Sequence, residues 1–180
     1  MNRIEDILDE AALRGADFAE VFDESSLFQE TWATLDGIEQ NQAGRESGVG
    51  IRVFKDKDCY YGYTNDRSEK ALKELTADLT KAMRGDSLAR VALKEKQIYQ
   101  MGPETIPASH LTIEQRMKPL NLAIKAGMDY DNEIVRMRVK LTDMEQRVQI
   151  ANTEGLYVED NREKTRLFAN AYAQCGTDIQ

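Results

Sequence analysis

The side chains that most often carry out chemistry are scarce in this sequence. Among 180 residues there is one histidine, His110, and two cysteines, Cys59 and Cys175. A zinc peptidase centre takes three protein ligands, commonly two histidines on one helical face plus a third donor. A lone histidine cannot build that centre, and His110, close to Pro107, reads as a surface-loop side chain. A thiol nucleophile needs an activating base, and no histidine stands near Cys175 in the sequence. The two distant thiols read as reduced cysteines of a cytoplasmic protein. No apolar run approaches the ~18 residues that span a bilayer, and the opening MNRIEDILDE is an amphipathic helix without the apolar core of a signal peptide. Positive charge is short as well. Lys and Arg number 24 against 32 Asp and Glu, a net charge of −8. Such a chain repels phosphate, which argues against direct nucleic-acid binding.

What is present is an ordinary globular composition, 41% hydrophobic and 31% charged, long enough for one domain with a proper core. Residues 3–14 place Ile4, Ile7, Leu8, Ala11 and Ala12 on one helical face, with Gly15 as a stop. Phe18, Val21 and Phe22 open a strand. From Val21 to Tyr63 the spacing predicts several strands joined by polar turns, among them Asp36-Gly37 and Asp56–Asp58. Val49, Ile51 and Val53 form an alternating apolar face. The glycines of GRESGVG (Gly44, Gly48, Gly50) precede a strand rather than a helix, so they read as turn and close-approach positions and not as a phosphate loop. Asp66 and Glu69 resemble a helix start, with Leu72, Leu75, Leu79 and Met83 as the buried stripe and an end near Gly85.

Residues 86–111 lack a clean period and contain Gly102-Pro103 and Ile106-Pro107, which predicts a long extended crossover. Thr112 and Gln115 form a capping box before Met117, Leu120, Ala123 and Ile124, ending at Gly127. Pro119 falls inside that pattern, so either the helix is kinked there or it starts there. Val135, Met137, Val139 and Leu141 then alternate with Arg136, Arg138 and Lys140, a strand with one apolar and one basic face. The basic face reads as a site for an acidic partner or as a solvent face paired with acidic neighbours. Further strands are expected at 146–152, 156–160 and 166–174. Aligning Gly37 with Gly155, an offset of 118 residues, superposes the two halves: Val21 meets Val139 and Ile38 meets Leu156. The fold expected is α+β, a mainly antiparallel sheet with helices packed on one face, in two repeated α-β halves at 1–85 and 112–180. The carboxylates Glu20, Asp23 and Glu24 read as a solvated strand edge.

The order of elements carries a resemblance. The acidic strand AEVFDESS, then ETW, the turn DGIE, ESGVGIRVF and YGY, and later EGLYVEDNREKTRLF resemble the N-terminal domain of the TldD/PmbA family, closer to its TldD branch. The resemblance spans nearly all of the chain. It implies a cytoplasmic zinc metallopeptidase of peptides or partly unfolded polypeptides, dimeric, from a family also labelled modulators of DNA gyrase. The family's H-E-x-x-x-H helix does not occur here, and the chain stops at CGTDIQ directly after a strand. The expectation is therefore an N-terminal piece, residues 1–180, without its catalytic domain. It would admit substrate and form the dimer with a second TldD/PmbA-type subunit, with zinc held in the absent domain. No catalytic or metal residue is assigned in this chain, and its substrate-binding residues are unknown. The alternative is a stand-alone regulatory module that binds protein and lacks peptidase activity.

Overall fold

Long polar stretches lie between the apolar runs of this chain, yet they do not break its strands. In the computed structural model, which describes residues 3–81, 83, 91–100, 111–176 and 178–179, the elements are α1 (Arg3–Leu13), β1 (Phe18–Thr34), β2 (Gly37–Lys55), β3 (Asp58–Thr64), α2 (Glu69–Thr80), β4 (Gln97–Gln100), α3 (Ile113–Met128), β5 (Ile134–Asn152), β6 (Tyr157–Cys175) and β7 (Asp178–Ile179). The sheet runs β3-β2-β1-β5-β6-β4, with β7 paired to β6. β2 and β3 pair antiparallel from Val49↔Thr64 to Lys55↔Asp58, and β4 lies parallel on Val158–Asn161 of β6. The architecture is α+β.

The pieces expected as separate short strands are therefore fused. Residues 134–152 form one strand because Asp143, in its polar middle, is buried and hydrogen-bonded rather than turned out to water. The hairpin turns fall where the sequence places them. Gly37 and Gly155 hold φ of +120° and +88°, a region that strains residues carrying a Cβ. Asp56, with φ of 52°, forms the β2–β3 turn. At the offset of 118 residues, β1 and β2 fall within two residues of the bounds of β5 and β6, and β7 follows β6 as β3 follows β2.

The chain divides into two compact units. Unit 1 takes Met1–Ser25, Glu46–Met101 and Gln146–Asn161; unit 2 takes Ser26–Arg45, Gly102–Glu145 and Arg162–Gln180. In unit 1, Ile4, Ile7, Leu8 and Ala11 of α1 and Leu72 of α2 cover the face formed by Val21, Val49, Ile51 and Val53. Gly62 lets Leu75 and Leu79 approach β3, since a Cβ there would stand 2.6 Å from Leu75 Cδ1. Helix α2 is capped by Ser68, whose hydroxyl accepts the Ala71 N–H. The expected start at Asp66 lies two residues early, because its carboxylate serves instead to accept the Ser68 N–H. The helix closes at Thr80, short of Gly85.

In unit 2, α3 lays Leu120 and Ile124 over Ala33, Met137, Val139 and Leu141. The capping box forms as expected. Thr112 Oγ1 accepts the Gln115 N–H and Gln115 Oε1 accepts the Thr112 N–H. The helix starts at Ile113 with Pro119 inside it and runs one residue past Gly127. Gly127 has a packing role, since a Cβ there would meet the Met137 side chain at 2.4 Å. Val135, expected on the apolar face, is 46% exposed at the strand's outer end.

Candidate functional site

The polar centre of unit 2 is a buried arginine. Arg116 sits one and two helical repeats of four before Leu120 and Ile124, so the spacing that buries those leucine and isoleucine side chains buries Arg116 with them. Its Nε donates to Thr31 Oγ1 at 3.0 Å, its Nη1 pairs with Asp143 Oδ2, and its Nη2 reaches the carbonyls of Gln29 and Leu141 at 3.3 and 3.2 Å. Asp143 Oδ1 accepts from Thr165 at 2.6 Å, and the Thr31 hydroxyl donates to Asn41 Oδ1 at 2.8 Å. The network ties α3 to β1, β2, β5 and β6. The guanidinium of Arg116 makes four hydrogen bonds, all to groups on strands.

Beside this network opens a groove of about 420 Å³. Leu111, Pro119, Leu141, Met144 and Leu167 give it apolar lining, and Asp143, Glu145, Glu163, Lys164 and Thr165 line it as well.

On the opposite face of β5 the basic residues are matched rather than open. Arg136 and Arg138 both pair with Glu39, at 2.7 and 2.6 Å, and Lys140 pairs with Glu30 at 3.2 Å. Trp32, of the ETW motif, stacks under Arg138 with 3.9 Å from the guanidinium carbon to the ring centroid, and Lys140 lies 4.8 Å from the same centroid. The Arg138 hydrogen bond, joined by that of Arg136, keeps the Glu39 carboxyl below its ordinary range. Burial pushes the Glu30 carboxyl upward, but hydrogen bonds from Trp32 and Lys140 outweigh it and leave a net depression. Of the two readings of this face, the structure gives the one with acidic neighbours on adjacent strands.

Unit 1 corrects one expectation. Asp23 is buried, not solvated at a strand edge, because Arg3 and Arg67 grip its two oxygens. Arg3 also donates to the Arg67 carbonyl at 2.8 Å, which fastens α1 to the turn before α2. Glu20 pairs with Arg52, and Glu24 accepts from Gln146, both at 2.6 Å. Sequence reading also passed over Glu159. It is 6% exposed and accepts from Arg147, Lys96 and Gln149 at 2.7 to 2.9 Å. Arg147 is the main reason that its carboxyl is lowered to about 2. Neither Asp23 nor Glu159 stands in an apolar stretch, and no local pattern marks their partners, which come from 10 to 63 residues away. Arg116 did carry a signal, its register with the helix's apolar stripe.

Gly48 and Gly50 serve close approach. A Cβ on Gly48 would stand 2.1 Å from the Tyr63 hydroxyl, and one on Gly50 would stand 3.0 Å from that of Tyr61. Cys59 and Cys175 are both exposed free thiols. His110 lies outside the described residues. Among the described residues no three His, Cys, Asp or Glu side chains gather in a way that could hold a metal ion, and no helix is long and apolar enough to cross a membrane.

These features define the class first: an α+β sheet protein built on long antiparallel hairpins, whose buried polar groups hold strands together. Residues 19–83 match the family model for PmbA/TldA metallopeptidase domain 1, and residues 106–179 match that for the PmbA/TldA metallopeptidase central domain. The chain belongs to the PmbA/TldD metallopeptidase family and carries its first and central domains. No curated protein matches the sequence. Among solved structures, a candidate modulator of DNA gyrase from Bacteroides thetaiotaomicron superposes with a TM-score of 0.71 at 18% identity, over 97% of this chain and 41% of that one. TldE from Thermococcus kodakarensis superposes at 0.68 and 18% identity, over 99% and 41%. A candidate modulator of a DNA gyrase from Thermotoga maritima gives 0.60 and 22%, over 89% and 37%. At these identities the likeness shows the fold. The chain spans about two fifths of the length of these structures.

Proposed function

We propose that this chain is the substrate-admitting, dimer-forming part of a cytoplasmic TldD-type zinc metallopeptidase that acts on peptides or partly unfolded polypeptides. The observation that carries the reading is the consecutive match to the first and central domains of a metallopeptidase family. The apolar groove at Leu111, Met144 and Leu167 supports it as a place for a polypeptide side chain. Among the described residues no group of side chains fits a zinc ion; in this reading zinc and the bond-breaking chemistry come from residues beyond the two matched domains, and the chain alone is inert. Its partner is a second TldD/PmbA-type subunit.

The test pairs two measurements. The purified 180-residue chain, incubated with a fluorogenic peptide mixture with and without added zinc, is expected to show no hydrolysis. The coding sequence past Gln180 is expected to run on into an H-E-x-x-x-H helix. Zinc-dependent hydrolysis by the chain itself overturns the inert role. A stop codon directly after Gln180 overturns the peptidase role and leaves the stand-alone regulatory module, a reading favoured otherwise only by the gyrase-modulator names of two structural relatives.

A further inference from the structure

The sheet of unit 1 has two faces, and the helices use one of them. Val21 of β1 and Val49, Ile51 and Val53 of β2 turn toward α1 and α2. Side chains alternate along a strand, so Phe22 and Glu24 of β1 and Gly48, Gly50 and Arg52 of β2 turn the other way. The β2–β3 register sets Gly50 beside Tyr63, Arg52 beside Tyr61 and Phe54 beside Cys59, which places all three β3 residues on that second face. The contacts agree. Glu20 reaches Arg52 at 2.6 Å, and the Phe18 and Phe54 rings meet edge to face at 5.9 Å. Met83 and Val91 pack with the core on the first face, and β4 lies at the other edge of the sheet from β3.

The second face is aromatic, and it meets water. Tyr61 and Tyr63 are 64% and 57% exposed, and Phe22 is 37% exposed. The Tyr63 ring lies along the sheet rather than standing away from it. A Cβ on Gly48 would meet Tyr63 Oη, Cζ and Cε2 at 2.1, 2.4 and 2.7 Å, and one on Gly50 would meet Tyr61 Oη at 3.0 Å. A ring laid over a strand glycine covers its backbone. That contact occupies one side of the ring and leaves the other to solvent. An exposed apolar patch with a polar rim marks an interaction surface, and the rim sets the sign of the partner. Beside Tyr63 opens a cleft of about 60 Å³ lined by Glu24, Glu46, Ser47, Gly48 and Tyr63. Both of its charged residues are carboxylates. Glu46 is exposed, and Glu24 accepts from the uncharged Gln146. Arg52, the guanidinium of this face, is matched by Glu20. Aromatic faces and carboxylates both attract cations, and a net charge of −8 acts in the same sense at a distance.

We infer that this face of unit 1, Phe22, Tyr61 and Tyr63 with Glu24 and Glu46, docks a basic, extended segment of a polypeptide, one of whose Lys or Arg side chains lies on Tyr63 between the two carboxylates. The cleft holds the charged head group, and the aliphatic stem lies against the rings. The inference rests on the substrate-admitting role proposed above and names the charge of the substrate.

The test uses the full 180-residue chain and a synthetic peptide of alternating Lys and Gly, with Glu-Gly and Ser-Gly peptides of the same length beside it. Both thiols are exposed and take a dye. An environment-sensitive dye on Cys59 in a C175S background is expected to report saturable binding of the Lys-Gly peptide and none of the other two. The same dye on Cys175, in a C59S background, is expected to report none. E46Q is expected to weaken binding about threefold. E74Q removes the same charge from exposed Glu74 of α2, on the helix side of the sheet, and is expected to leave binding nearly unchanged. Y61L/Y63L keeps every charge and is expected to weaken binding about fivefold through the lost ring contacts, with circular dichroism unchanged. Equal effects of E46Q and E74Q, or equal signals from Cys59 and Cys175, show diffuse attraction to an acidic chain and overturn the docking face. A Lys-Gly peptide that does not bind, or that binds Y61L/Y63L as tightly as the parent, overturns it too, and so does equal binding of the Ser-Gly peptide. The peptidase reading is judged apart from this, by the coding sequence past Gln180. An H-E-x-x-x-H helix there beside an unresponsive Cys59 leaves that reading standing without the docking face, and a stop codon beside a bound Lys-Gly peptide leaves the docking face without the peptidase.

Discussion

A fully buried arginine is tolerable only while every one of its partners is present. Arg116 and Asp143 are both almost wholly withdrawn from water, and removing one partner leaves the other as an uncompensated buried charge. Arg116→Met is therefore expected to destabilise the chain by about 3–5 kcal/mol, read as a lower urea midpoint. The R116M/D143L double variant is expected to recover part of that loss, because two apolar groups replace the pair together. A single variant as stable as the parent would show that the charge finds water. This residue was half legible. Its place on the apolar stripe with Leu120 and Ile124 announces burial, but the partners Thr31 and Asp143 come from distant strands, and no local pattern names them.

Among the elements, β4 and the extended residues before it are held within unit 1 by hydrogen bonds to several distant segments. Lys94 N–H donates to the Gly155 carbonyl at 2.9 Å, the Val91 N–H donates to Asp9 at 2.6 Å, and Lys96 reaches Glu159. The Glu159 carboxyl is lowered from 4.5 to about 2. A depressed acid contributes stability above its unfolded value and loses it as pH falls through the folded one. The contribution is therefore complete above about pH 4.5 and gone near pH 2. It amounts to at most about 3 kcal/mol, less after screening around the half-exposed Arg147. Glu159→Gln is expected to flatten the fall in thermal midpoint between pH 4.5 and 2, and an unchanged acid limb would contradict the assignment. The helices were legible because capping and apolar spacing are local, as Thr112 with Gln115 shows. The lengths of the strands were not. A polar run such as Gly37–Ser47 looks like loop in one dimension, and only the strand beside it supplies the hydrogen bonds that keep it extended.

At the scale of the whole molecule the sign of the charge governs what can bind. A net charge of −8, with Arg136, Arg138 and Lys140 all matched by Glu39 and Glu30, weighs against a phosphate backbone on the basic face of β5. Fluorescence anisotropy with a labelled duplex is expected to show no binding at ~50 mM salt, and tight, salt-sensitive binding would reverse that view. The α+β class and the family were legible from the order of elements, whereas the interleaving of the two units was not. Each sequential half gives up the tip of its own hairpin. Residues 26–45 leave the first half for unit 2, and residues 146–161 leave the second half for unit 1. A gene that is cut once, anywhere between the halves, therefore yields two products that each lack a piece of their own core. Recombination can pass this pair on as a block, but it cannot transplant either member into another protein with a single crossover.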